Sequence, residues 1–281
     1  MSLDIDHLRG WIGRQDSASE TLSPALVRQF NATFDRASGE DMGDVAPLLI
    51  HFCLAQPSVP TAELGPDGHA ARGGFLPPVP LPRRMWAGGA FTFSGDIRIG
   101  DEVTRLSTVK DVVLKQGRTG PLCFVTVEHA VTANGRPVLT ERQDIVYRES
   151  PARDQPPAKP ATEPAPPGDR SQRITPSAAY LFRYSAMTFN GHRIHYDKDY
   201  VREVEGYPGL IVHGPLQATL LCQFAADLKG RRPDRFGFRS IGTIFDTGDF
   251  TVNASEGENG SLRLWTAQEN GPVAMEASAS W

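Results

Sequence analysis

Cysteine is nearly absent: Cys53, Cys123 and Cys222 are three residues in 281, far apart, odd in number and without a C-x-x-C pair. That pattern suggests neither a disulfide framework nor a thiolate zinc site, and a reducing cytoplasm is the expected setting. Positive charge is also short, with 29 Lys and Arg against 33 Asp and Glu and a net charge of -4. Binding a nucleic-acid backbone needs a basic excess on at least one face, so no nucleic-acid partner is expected, although a local cluster could still meet a small phosphorylated ligand. No apolar run approaches the length of a membrane span, and "MSLDIDHLRGWIGRQD" has no basic segment leading into an apolar one. Neither a membrane nor a secreted location is therefore expected, and the asparagines of "NAT", "NAS" and "NGS" are read as unglycosylated.

Proline, by contrast, is plentiful and unevenly placed. Seven of the 23 prolines fall in "SPARDQPPAKPATEPAPPGDRSQ", residues 150–172, which holds almost no large apolar side chain. This reads as an extended, solvated linker between two parts, 1–149 and 173–281, each the size of a small domain.

The two parts look alike in outline. In the first, "SPALVRQFNATF" offers Ser23 as N-cap, Pro24 at the first helical position, and Leu26, Val27, Phe30 and Phe34 at helical spacing. Strand-like runs follow: "GAFTFSGDIRI", "DEVTRLSTVKDVVLK", "PLCFVTVEHAVT" and "PVLTERQDIVYRE". Val125, Val127, His129 and Val131 alternate with polar neighbours, so His129 is expected to be a satisfied core histidine. In the second part, "AYLFRYSAMTF" fits a strand or a short helix. "IVHGPLQATLLCQFAADL" then predicts a long helix, with Gly214 as cap, Pro215 at the first position, and Leu216, Leu220, Phe224 and Leu228 on one stripe. Three strand candidates close the chain: "GFRSIGTIFDTGDFTVNAS", "GSLRLWTAQEN" and "PVAMEASASW". A helix laid across an antiparallel sheet, occurring twice, is the outline of a double hotdog, an α+β architecture. The first half's equivalent helix, around "DVAPLLIHFCLA" with Pro47 near its start, is expected to be shorter or degraded. Each half would cover the open side of the other, so the chain would work as a monomeric pseudo-dimer or pair further as a homodimer.

Two of only seven histidines stand three apart in "FNGHRIHYD", residues 189–197. As metal ligands, His192 and His195 could be joined by His213 and by Asp197 or Asp199, but H-x-x-H lacks the i, i+4 spacing and the glutamate of the zinc hydrolase motif. Metal is therefore not expected. As acid/base groups they are followed by a helix that opens at Gly214, where the first amides have no intrahelical partner and the dipole favours negative charge. An imidazole and a helix N-terminus are the parts needed to add water across a double bond conjugated to a carbonyl. Filling a polar turn is the third possibility.

"FNGHRIH" resembles a variant of the MaoC-type hydratase signature Gly-Asp-x-Asn-Pro-Leu-His. Closer still is the double-hotdog acyl-thioester hydratase and dehydratase branch that includes 3-methylfumaryl-CoA and itaconyl-CoA hydratases. That branch is similar over "TFNGHRIHYD", residues 188–197, and over "FLPPVPLPRRMWAGG", residues 75–89, so the likeness spans nearly the whole chain. Where the wider pattern has a catalytic aspartate this chain has Asn190, and where it has a water-positioning asparagine this chain has His192. Asn190 cannot titrate near neutral pH and can only hold water or substrate. His195 is then the expected general base, and either His195 itself or His192, as a second titrating group, returns the proton to the α-carbon, while Asp197 either orients one ring or simply sits in a surface turn.

The resemblance implies a CoA thioester of a small branched dicarboxylate as substrate, citramalyl-CoA as product, and no cofactor. A buried carboxylate needs a cation. The candidates are Arg193 beside the histidines and Arg83 and Arg84 in "LPRRMW", with Trp86 and His213 as further substrate contacts. Lys229, Arg231, Arg232 and Arg235, in "LKGRRPDR", could meet the CoA phosphates or merely complement a helix C-terminus. Two other readings compete: a 3-hydroxyacyl-thioester dehydratase with a longer acyl chain, and a non-catalytic acyl-CoA-binding module. A thioesterase is disfavoured, because the helix interior offers Gln217 and Gln223 but no acid.

Overall fold

The structure, a computed structural model, describes residues 3–117, 120–149 and 163–281. Ten strands form one continuous antiparallel sheet: β1 (Gln15–Thr21), β2 (Arg83–Phe93), β3 (Glu102–Gly117), β4 (Gly120–Ala133), β5 (Arg136–Arg148), β6 (Arg170–Ile174), β7 (Arg235–Ser240), β8 (Phe250–Glu256), β9 (Leu262–Gln268) and β10 (Val273–Ser280). Their order is β1-β3-β4-β5-β2-β7-β10-β9-β8-β6. Five strands come from each half, and the halves meet where β2 pairs with β7, Gly88 opposite Arg239 through Thr92 opposite Arg235. This is the double-hotdog layout expected from the sequence.

The seam explains the paired glycines at the end of "RRMWAGG". A Cβ at Gly88 would stand 2.7 Å from the Phe238 carbonyl oxygen, and one at Gly89 would meet the Phe238 ring at 2.8 Å and the Arg142 carbonyl oxygen at 2.9 Å. Phe91, Phe236 and Phe238 then stack across the join.

Among the described residues, five α-helices accompany the sheet: α1 (Ile5–Arg9), α2 (Pro24–Phe34), α3 (Ala178–Met187), α4 (Lys198–Glu203) and α5 (Gly214–Lys229). Ser23 caps α2 by accepting from the Leu26 amide, and the helix ends where Asp35 turns left-handed. Helix α5 is the central one, with every residue from Leu216 to Gln223 buried. His213 is its N-cap and Gly214 its first helical residue, one position earlier than the pattern predicts. In the first half the equivalent helix is reduced to a single 3-10 turn, Ile50–Cys53, after Pro47 removes a donor and Leu49 turns left-handed. "AYLFRYSAMTF" resolves as helix α3, whose Tyr180 and Tyr184 meet Phe34 of α2 edge-on.

The sequence reading misses α1 and both outermost strands. "QDSASET" and "RSQRI" are polar edge strands with almost no buried side chain, so they carry no alternation to read. The segment read as linker consequently stops short of 172. Residues 150–162 lie outside the described residues, while the Ala165 amide donates to the Gly271 carbonyl and Arg170 already belongs to β6.

The main core runs through both halves around α5, and a second cluster under the first half's sheet gathers Val79, Leu81, Val109, Val125, Val127, Ile145 and Tyr147. Val79 and Leu81 come from the "FLPPVPLP" run, which therefore packs as well as turns. His129 is a satisfied core histidine as expected, with Ser107 Oγ at 2.8 Å and Gln143 Oε1 at 3.3 Å. Among the described residues no helix is long and apolar enough to cross a membrane.

Candidate active site

The histidine stretch follows α3, and Phe189 turns the chain left-handed to leave it. Asn190 Oδ1 accepts from the His192 amide at 3.0 Å, a local turn that fixes the backbone ahead of both histidines. A 3-10 turn, Arg193–His195, then swings the His195 ring inward. His195 is buried, and its Nδ1 stands 2.7 Å from the Ile211 carbonyl oxygen. A carbonyl can only accept, so Nδ1 carries the proton and Nε2 keeps its lone pair. Burial lowers the pKa of His195 to about 4, which leaves the ring neutral at ordinary pH.

His213 lies against it, ring centroids 3.6 Å apart at 17°. His213 is fully buried, and its Nε2 is 2.8 Å from Ser185 Oγ. It is a platform for His195 and has no surface left for the substrate contact expected of it. Just beyond, no side chain caps α5. A Cβ at Gly214 would meet nothing closer than 3.9 Å, so the start of α5, next to His213, leaves room on that side. That space suits a carbonyl oxygen that gains charge.

The first half sends a loop into the same place. Gly68 and Gly191 approach so closely that a Cβ on Gly191 would stand 2.8 Å from the Gly68 carbonyl oxygen, and one on Gly68 would land on the Gly191 carbonyl. The Arg193 amide donates to the Asp67 carbonyl at 2.9 Å, and Arg193 Nη1 donates to the Pro66 carbonyl at 3.0 Å. This docking brings His69 against His192, ring centroids 4.0 Å apart, with His192 5.5 Å from His195. Asp67 Oδ2 accepts from His69 Nδ1 at 2.9 Å. The bond to His69 holds the Asp67 carboxyl well below the usual carboxylate range. Burial pushes His69 and His192 down, and the positive charge of Arg84 adds to that effect on both. Asp67 and His69 escape the sequence reading, and the only local signal is the Asp-Gly turn in "GPDGH".

The expected carboxylate partners separate clearly. Arg193 is bound to Asp197 through Nε at 3.0 Å and Nη2 at 2.8 Å and lies 4.0 Å over the Tyr200 ring, so it braces the turn. Asp197 also caps α4 through the Tyr200 amide and orients neither histidine. Arg83 pairs with Glu205 at 3.1 Å and with the Tyr207 hydroxyl, tying β2 to the second half. Arg84, opposite Tyr147 on β5, lies near enough for its charge to lower the pKa of His69 and His192, and the carboxylates of this region are engaged elsewhere: Asp67 with His69, Glu205 with Arg83 and Asp197 with Arg193. Trp86 packs edge-on between Phe52 and Phe238 and donates to the Gly88 carbonyl. It shapes the seam between the halves.

The basic cluster sits at the far end of α5, about 22 Å along the axis from Gly214 at 1.5 Å per residue. Lys229 pairs with Glu256 at 3.0 Å and Arg232 with Asp96 at 2.7 Å. Arg231 and Arg232 line a cavity of about 510 Å³ with Leu48, Phe93 and Gln223, and Arg235 is exposed on β7. These four residues therefore stand apart from the histidines. The cysteines are buried, and burial pushes the thiols of Cys53 and Cys123 up to about 12 and 11, so neither presents a thiolate nucleophile.

Potential metal ligand atoms of Asp67, His69 and His192 all lie within 4.8 Å of one another. Zinc bonds of about 2.0–2.2 Å would draw them closer, and the Asp67–His69 bond already uses one carboxylate oxygen and one ring nitrogen. The donor set as arranged fits hydrogen bonding better than metal binding.

A family model described as hydroxyacyl-thioester dehydratase type 2 matches residues 49–246. A Chloroflexus aurantiacus protein called mesaconyl-C(4)-CoA hydratase is 40% identical over 245 residues, 87% of each chain. Among solved structures, HtdX of Mycobacterium tuberculosis superposes with a TM-score of 0.66 at 20% identity, covering 95% of this chain and 99% of the other. A MaoC-like dehydratase from Phytophthora capsici gives 0.69 at 13%, covering 99% of both.

Proposed function

We propose, from the premise that the chain belongs to the hydroxyacyl-thioester dehydratase type 2 family and is a hydratase or dehydratase of the MaoC-like hotdog kind, that it hydrates the CoA thioester of a methyl-branched unsaturated dicarboxylate. The preferred substrate in this reading is 3-methylfumaryl-CoA, in which the thioester is at C4, with itaconyl-CoA as the neighbouring candidate and citramalyl-CoA as product. The relative named mesaconyl-C(4)-CoA hydratase supports that choice. The observation that carries it is Arg84: a cation near enough to act on both His69 and His192, with the nearby carboxylates engaged elsewhere, is what a free substrate carboxylate needs.

Water is held between His195 Nε2 and the β-carbon of the enoyl group. His195 removes a proton as the C–O bond forms, and the π electrons move onto the thioester oxygen at the N-terminus of α5, where uncapped amides and the helix dipole stabilise the enolate. Reprotonation at the α-carbon completes the addition. Run backwards, the same steps dehydrate a 3-hydroxyacyl thioester.

Purified protein offered 3-methylfumaryl-CoA, itaconyl-CoA and crotonyl-CoA separates these possibilities. Faster loss of the enoyl absorbance with a dicarboxylate supports the reading, whereas preference for crotonyl-CoA or a longer 3-hydroxyacyl thioester overturns it. Arg84→Gln should raise KM for the dicarboxylate at least tenfold and leave crotonyl-CoA unaffected.

A further inference from the structure

The hydration just described leaves open which group returns a proton to the α-carbon, and the histidine segment itself holds no imidazole paired with a carboxylate. Asn190 is locked in a turn and does not titrate, and Asp197 is committed to Arg193 and the cap of α4. Among the described residues, the carboxylate at the histidine cluster is Asp67, and it arrives from the other half of the chain. Its Oδ1 accepts the His69 amide at 3.0 Å and its Oδ2 accepts His69 Nδ1 at 2.9 Å, so the ring is oriented and its Nε2 is left for chemistry. The loop that carries the pair is pinned by the Gly68–Gly191 approach and by two hydrogen bonds from Arg193. Such rigidity suits an acid that must meet one carbon atom.

We infer that Asp67 and His69 form the second acid/base unit of the active site, with His69 delivering the proton to the α-carbon and Asp67 acting as its positioning residue. The inference rests on the hydration reading and assigns the half-reaction that reading left open. The step balances without a further reagent. The enolate electron pair forms the new C–H bond with the proton of the His69 imidazolium, the thioester carbonyl is restored, and His69 becomes neutral. The proton that His195 took from water returns to His69 through His192, whose ring lies between them at 5.5 and 4.0 Å. Asp67 takes the place of the aspartate that the MaoC signature carries where this chain has Asn190, supplied by a different segment and acting through an imidazole.

The charged and titratable groups around His69 are Asp67 and Arg72 on its own loop, Arg84 on β2, and His192 and His195 on the histidine segment. Burial lowers the His69 pKa most, Asp67 raises it and the arginines lower it, so the net shift is downward and the bond to Asp67 is what keeps the imidazolium within reach. Because the acid must start protonated, Asp67→Asn, which keeps one of the two acceptor oxygens and removes the charge, should move the alkaline limb of kcat to lower pH. His69→Gln should lower kcat by about 10² or more with KM changed less than threefold. Both variants are assayed on whichever enoyl-CoA the wild type turns over fastest, with thermal melting to verify folding. Retention of kcat within threefold by His69→Gln, or an unmoved alkaline limb in Asp67→Asn, overturns the inference and leaves the hydration reading standing. A wild type idle on every thioester overturns the hydration reading itself.

Discussion

His195 and His213 lie face to face, 3.6 Å between ring centroids, one anchored to the Ile211 carbonyl and the other to the Ser185 hydroxyl. Two imidazolium rings would repel at that distance in a buried site, so the stack carries at most one proton charge at a time and rests neutral. Burial lowers the pKa of each, for His195 to about 4.

A pH dependence of stability follows. The unfolded chain protonates His195 near pH 6.5 and the folded chain only near 4, so between these values the unfolded state binds more protons and stability rises with pH. The contribution is fully present above about pH 6.5, is lost as pH falls to about 4, and amounts to roughly 3 kcal/mol for His195. Urea denaturation of wild type and His195→Gln between pH 4.5 and 7 measures it as a difference in slope. Parallel curves would refute the neutral stack.

Removal of the base is the sharper test of chemistry. His195→Ala should reduce hydration by about 10² to 10⁴ while CoA-thioester affinity stays within a few fold. A variant that keeps more than a tenth of wild-type turnover would show that His195 is not the base. Asn190→Asp preserves the acceptor of the turn and should leave activity within a few fold of wild type. A marked gain would mean that a carboxylate at 190 can still act as it does in the wider MaoC signature.

The docking of the two halves depends on glycine at two positions. Gly68 has φ of +86° and no room for a Cβ, and Gly191 has none on the side facing Gly68. Gly191→Ala should cost about 1–3 kcal/mol of stability by overpacking and lower turnover at least tenfold by shifting His69 away from His192. Thermal melting and steady-state assays read the two effects, and wild-type behaviour in both would show that the loop approach is not constrained as described.

Much of this was legible before the structure. The strands β3, β4 and β5 alternate apolar and polar residues, α5 carries an apolar stripe behind Gly-Pro, and both features reflect burial on one face. The polar edge strands β1 and β6 were not legible, because pairing by backbone alone leaves no side-chain pattern. In the site, "FNGHRIH" announced His195 by its resemblance. Beyond the Asp-Gly turn of "GPDGH", nothing local announced Asp67 and His69, which reach the site only because the chain folds back over more than 120 residues. Arg193 looked like a ligand contact because it sits between the histidines, yet its guanidinium is held by Asp197 and Pro66.

Metal dependence separates two uses of the same side chains. If Asp67, His69 and His192 act by hydrogen bonding and proton transfer, prolonged chelator treatment should leave turnover unchanged, and elemental analysis should find no stoichiometric zinc. Stoichiometric metal together with chelator-sensitive activity would make these residues a metal centre instead.

The last prediction concerns the division of the chain. Residues 173–281 contain His192, His195, His213 and α5, and would seem to hold the essential chemistry. They lack β2, so β7 would become an open edge with Phe236 and Phe238 uncovered, an exposed apolar strand prone to pair with other chains. They also lack Asp67, His69 and Arg84. Expressed alone, this fragment should aggregate or be inactive. A chain cut at an engineered protease site within 150–162 should behave differently. The seam between β2 and β7, the Arg83–Glu205 pair and the bonds from Arg193 to the 66–67 backbone all join the halves without that segment. Co-elution of the two pieces on gel filtration with full hydration activity is the expected result. Full activity from the isolated second half would show that the first half supplies nothing to the chemistry, and the site built from both halves would have to be abandoned.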